Sequence, residues 1–262
     1  NNIGLVSIED VDIRVKILQY SGKYFLDDES GSISVNLYAS LKKNVDDFIL
    51  SVLERNISGT ENRMDLDRVV KVNMGGVVAI SRALASKIDK SGDYGYPANE
   101  IGDFLANADL THVSNEVSFV SGCTVYSGMR FCSRPEYIEV LKRSGVDIVE
   151  LTGNHNNDFG SQYNTESIGM YKDLGMRYFG GGLDSEDASK TLYEEVNGTK
   201  MAFVGYNYYD TIYESLALAG VSRAGANSYS EEKVKRDVQT ARENADIVIV
   251  TFQFQECYCY PD

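Results

Sequence analysis

Between Thr152 and Gly160 the chain reads TGNHNNDFG, its densest run of chemically able side chains. The imidazole of His155 stands between the amides of Asn154 and Asn156, and the carboxylate of Asp158 follows three residues on. An imidazole exchanges a proton near neutral pH, and a carboxylate beside it can hold one ring nitrogen and leave the other free. His155 and Asp158 are therefore the catalytic candidates. The same atoms could bind a cation or touch a phosphate. A plainer alternative is an Asn-rich loop closed by its own Asx turns around a satisfied histidine. A second polar group, SNEVSF, supplies Asn115 and Glu116, with His112 just upstream. A third, Gln253 to Glu256, follows the apolar run DIVIVTF. Open α/β sheets place their sites just past the C-terminal ends of buried strands. That rule makes Asn115, Asn156, Gln253 and Glu256 candidates for substrate contacts. If the strands before the first two groups are neighbours, Asn115, Glu116, Asn154, His155 and Asp158 converge at one sheet edge.

The elements that must position these groups alternate between short β-branched runs and amphipathic helices, which predicts an α/β fold with an at least partly parallel sheet. VVKVNMGGVVAIS predicts a strand running into Gly75 and Gly76, with a helix after it. Ala98 to Ala106 predicts a helix with Ile101, Phe104 and Leu105 on one face. Pro135 suits a first helical turn, Gly145 suits the C′ position, and VDIVEL reads as a buried strand. YNTESIGMYKDLG predicts a second helix ending at Gly175. Asn197-Gly198 between TLYEEV and KMAFVGY is a strong hairpin signal. Ser230 is placed to cap a last helix carrying Val234, Val238 and Ala241 on one face, which leads into DIVIVTF.

Residues 1–66 read differently. Two strands flank Ser21-Gly22, a third spans Ser32 to Leu37, and Lys43 to Ile57 predicts an amphipathic helix. They are expected to form a small β-rich appendage, with a main domain over 67–262. The chain has 262 residues and carries 25 basic against 39 acidic side chains, for a net charge of −14. That balance leaves no basic stripe for a phosphate backbone, so nucleic acid is not an expected partner. No stretch reaches the roughly 20 apolar residues of a spanning helix. Of the four cysteines, Cys123 and Cys132 bracket CTVYSGMRFC, short enough to close as a disulfide in an oxidising compartment, with two half-buried thiols as the alternative. Gly180 to Gly182 lack the Lys-Ser/Thr of a phosphate loop and read as a tight strand end. Cys257 has no cationic neighbour in sequence to activate it as a nucleophile.

The run VELTGNHNNDFG, followed by a helix and GMRYFGGG, resembles the bacterial capsule-synthesis family of CapA type, associated with poly-γ-glutamate. SNEVSF, RFCSRPEYIEVL and NGTKMAFVGYN extend the likeness over roughly Val69 to Tyr258. The resemblance implies a calcineurin-type metallophosphoesterase-like fold, a sandwich of two β-sheets flanked by helices around two metals. It would make Glu116, Asn154 and His155 ligands of a divalent metal such as Mn, Zn or Fe. It also implies an extracytoplasmic protein, secreted or anchored at the cell surface. Its partner would be an anionic polymer or a small phosphorylated or glutamyl substrate, within a membrane-associated capsule-synthesis complex. Two departures bear on the metals. Asn73-Met74-Gly75-Gly76 stands where the family has Gly-Asp, and no histidine follows His155. The site is therefore expected to be incomplete and the domain cut short at its C-terminus. Three readings are open: a capsule-biosynthesis protein, a metal-dependent phosphoester hydrolase, or a binding module that has lost its metals.

Overall fold

A computed structural model describes residues 68–124, 128–212 and 216–254. The expected N-terminal hairpin and helix, Glu256 and Cys257 lie outside the described residues. Four parallel strands form the first sheet in the order β1 (Val72–Val78), β2 (Leu110–Asn115), β3 (Ile148–Glu150), β4 (Arg177–Phe179). The helices between them are α1 (Arg82–Ser91), α2 (Gly102–Ala106), α3 (Ile138–Arg143) and α4 (Ser161–Asp173). Two-residue strands β5 (Gly181–Gly182) and β8 (Gly225–Ala226) pair antiparallel, and α5 (Ser185–Ala188) follows β5. A three-stranded sheet has the order β6 (Leu192–Val196), β7 (Thr199–Asn207), β9 (Ile247–Gln253). α6 (Tyr209–Ile212) follows β7, and α7 (Glu231–Asn244) leads into β9.

Alternation along the strands decides what each face meets. Val113 and Val149 point to one side of the parallel sheet, where Ala85, Ile88, Val140, Leu141, Ile168 and Tyr171 from the helices bury them. Leu110, Ile148 and Phe179 point to the other, against Met201 and Phe203 of β7. The second sheet thus covers the face that the helices leave open. On its outer side the Tyr206 hydroxyl reaches Asp237 of α7 at 3.0 Å. Asn197 and Gly198 adopt φ of 51° and 69°, the left-handed pair of a tight hairpin between β6 and β7. The Ser230 side chain accepts the Lys233 amide at 3.2 Å, as its capping position requires.

β1 runs through its glycines, within the stretch read as a strand, with a register break between Met74 and Val77. A Cβ on Gly75 would stand 3.3 Å from the His112 carbonyl oxygen, so glycine lets the strand lie close to β2. The segment from Ala98 to Ala106 splits into a 3₁₀ turn, Tyr96–Ala98, and the short α2. Ile101 and Phe104 are 49% and 71% exposed rather than turned to the core. α2 packs through Gly102, where a Cβ would meet the Arg143 carbonyl oxygen of α3 at 2.7 Å, and this close approach turns the apolar pair outward.

Candidate functional site

β2 and β3 end side by side, and the parallel pairing continues past them as a bridge from Val117 to His155. The loops after both strands therefore open at the same sheet edge. They lie so close that a Cβ on Gly153 would stand 2.7 Å from Glu116 Cα. β9 delivers Gln253 to the same place from the second sheet. Its Nε2 donates to Glu116 Oε1 and to Asn154 Oδ1, both at 3.2 Å.

His155 bonds Asp158 Oδ2 through Nδ1 at 2.8 Å. Asp158 Oδ2 also accepts the Phe131 amide at 2.7 Å, and its carbonyl oxygen accepts Arg130 Nε at 2.9 Å. The Phe131 ring meets the imidazole edge-on, centroids 4.3 Å apart. Ring and carboxylate together fix the imidazole, and no described residue bonds its Nε2. Burial works against a charge on His155, but the hydrogen bond and charge of Asp158, with Glu116 and Asp210 nearby, outweigh it and raise the pKa above 6.5. Burial likewise raises the Glu116 carboxyl above 4.5, helped by the charges of Asp158 and Asp210 and opposed by His155 and Gln253. The arrangement offers a held imidazole beside a carboxyl that retains its proton more readily than usual, a pair suited to proton transfer.

The raised His155 pKa has a measurable sign. The folded chain holds that proton more tightly than the unfolded one, so the pair stabilises the fold fully below pH 6.5 and loses this contribution as pH rises through the folded value. An NMR titration should place the His155 midpoint above 6.5 in the native chain and lower in Asp158→Asn. An unchanged midpoint in the variant would count against the pairing.

Glu116, Asn154, His155, Asp158 and Gln253 thus meet. Two expected substrate contacts do not join them. Asn115 shares the Val113 face, donates to the Tyr171 hydroxyl of α4 and is 1% exposed. Asn156 folds back to the carbonyl oxygens of Leu151 and Gly153, both at 3.3 Å, and is 2% exposed. The first points to the helix side by strand parity, and the second serves the turn. Cys123 and Cys132 are joined as a disulfide with Cα atoms 6.0 Å apart, and the loop they close carries Arg130 and Phe131.

Sequence reasoning missed Asn207 and Asp210. Asn207 ends β7, donates through Nδ2 to Thr152 O and Asp210 Oδ2 at 2.8 Å, and accepts the Asp210 amide at 2.7 Å. The signal was available, since both follow the C-terminal half of a buried strand. Arg130 and Phe131 were also passed over. As a metal centre the set fits poorly. Among the described residues no three His, Cys, Asp or Glu side chains gather as a ligand group. Gln253 also directs N–H donors at two of the oxygens a cation would need.

Residues 71–260 match the family described as "Bacterial capsule synthesis protein PGA_cap". "Capsule biosynthesis protein CapA" of Bacillus anthracis is 25% identical over 130 residues, covering 48% of this chain and 31% of that protein. "PGA biosynthesis protein CapA" of Bacillus subtilis (strain 168) is 27% identical over 124 residues, covering 47% and 32%. The matches span about a third of the length of these relatives.

Proposed function

Because the chain belongs to the bacterial capsule synthesis protein family, we propose that it handles an anionic capsule polymer, poly-γ-glutamate or its glutamyl precursor, at the cell envelope. The observation that carries this reading is that the matched residues include the whole sheet-edge cluster from Glu116 to Gln253. In this reading His155 moves a proton through Nε2, Asp158 holds the ring, and Glu116 faces the same opening. An anionic substrate must approach a chain of net charge −14. Arginines beside the site give it a local welcome. The Arg82 guanidinium lies 4.3 Å from the Phe131 ring centroid, and Arg130 lies 4.6 Å from that of Phe159. The layering of helices, two sheets and a further helix supports a metallophosphoesterase-like sandwich as the fold. Phosphoester hydrolysis by two metals is not the favoured chemistry, because that reaction needs a fuller ligand set than the described residues of this edge supply.

The polymer reading is tested in capsule-forming cells whose only copy carries His155→Ala. Proton-transfer groups contribute about 10²–10⁴-fold to rate, so polymer output should collapse while the protein accumulates normally. Unchanged output would overturn it. An extracytoplasmic location is supported by the Cys123–Cys132 bridge, since such bonds persist in oxidising compartments. Protein recovered from the cell envelope should gain the mass of two hydrogens on the peptides holding these cysteines when reduced. Free thiols at both positions would remove that support.

A further inference from the structure

We propose that the side-chain amide of Gln253 stands where a cation would otherwise sit, so that this chain closes its cluster with hydrogen bonds and binds no divalent metal there. Glu116 Oε1 and Asn154 Oδ1 converge on one point, 3.2 Å from Gln253 Nε2 in each case. An ionised carboxylate and an amide oxygen are acceptors only, so whatever lies between them must donate protons or carry positive charge. The NH₂ end of Gln253 meets that demand with two donors. Its carbonyl end, turned the same way, would face two oxygens with nothing to give. A cation bridging these two oxygens would have to occupy the position the amide fills, so amide and metal compete for one place.

A second feature agrees. Among the described residues no trio of His, Cys, Asp or Glu is gathered for a metal. The cross-link also has a structural role that a metal would duplicate. It ties the end of β9 in one sheet to the loops after β2 and β3 in the other. The inference concerns the occupant of the site, and stands or falls separately from the polymer reading.

The test is Gln253→Glu, which has nearly the same shape and exchanges the donor for a second carboxylate facing Glu116. Two like charges at hydrogen-bond distance repel, and a divalent cation between them relieves the repulsion. In chelator the variant should melt below the native chain. With Mn²⁺ at a hundredfold excess over its dissociation constant it should recover by about 5–10 °C. The native chain should melt at the same temperature in Mn²⁺ and in chelator, and should retain no Mn²⁺ or Zn²⁺ after equilibrium dialysis. A folded Gln253→Glu that gains nothing from Mn²⁺ would overturn the proposal. So would one equivalent of metal retained by the native chain and lost in Glu116→Gln. Should Gln253→Glu fail to fold, dialysis of the native chain decides alone: metal held through Glu116 refutes the proposal, and none sustains it.

Discussion

Phe179→Ala is expected to cost about 3–5 kcal/mol, the range for truncating a buried aromatic ring, and to lower the melting temperature by about 6–20 °C. The ring is 1% exposed at the end of β4 and fills the seam between the two sheets. Its centroid lies 5.6 Å from those of both His112 and Phe203. Removing it takes contacts from both layers at once, and neither sheet can move into the space without breaking its own ladder. The cavity would also border a buried polar chain, His112 Nε2 to Glu150 at 3.1 Å and Thr152 to the same carboxylate, whose strength depends on water being kept out. Phe104→Ala is the control, because a ring 71% exposed should change stability by no more than about 0.5 kcal/mol. Urea or thermal unfolding of the two variants checks the contrast. Equal losses would mean that the seam is not the core.

Gly153→Ala should separate stability from site geometry. The added methyl would stand 2.7 Å from both Cα and Cγ of Glu116, and the first of these is backbone that cannot swing aside. Overpacking of this kind costs about 1–3 kcal/mol. The loops after β2 and β3 must part to admit the methyl, which draws Glu116 away from Gln253 and Asn154. Polymer output should then fall as in His155→Ala even though the chain stays folded. Gly76→Ala offers the comparison, since a Cβ there meets nothing within 4 Å. A Gly153→Ala protein with native melting and native output would show that the contact relaxes without consequence.

The sheet-edge residues were legible because the rule behind them depends only on chain order: where a parallel strand ends, the next residues lie at the edge. Glu116, Asn154, His155 and Gln253 all obey it. Asn115 was misassigned although the answer lay in its neighbours, since period-two alternation puts it on the Val113 side, toward α4. The role of Asn156 was not readable, because an amide can cap its own loop or face outward with the same sequence around it. Asn207 and Asp210 follow the same edge rule, but they stand at the end of the second strand of a hairpin, whose pattern does not announce the parallel pairing with β9 that brings them to this edge. The Phe131 amide that holds Asp158 sits 27 residues away and arrives through a disulfide-closed loop, so no local pattern announces it. Of the glycines in β1, Gly75 lets the strand lie against its neighbour, whereas Gly76 borders open space.

The cluster joins partners of very different sequence distance, which has a kinetic side. His155 and Asp158 are three residues apart, whereas Gln253 reaches back 99 residues to Asn154 and 137 to Glu116. Contacts that close long loops form late, after local ones have set. During refolding the imidazole can find its carboxylate while Glu116 still faces water, and the amide arrives only when β9 docks beside β7. Quenching a refolding chain at successive times should therefore recover the His155–Asp158 pairing before the bridge between the sheets, and the full native shift of the imidazole only with that bridge.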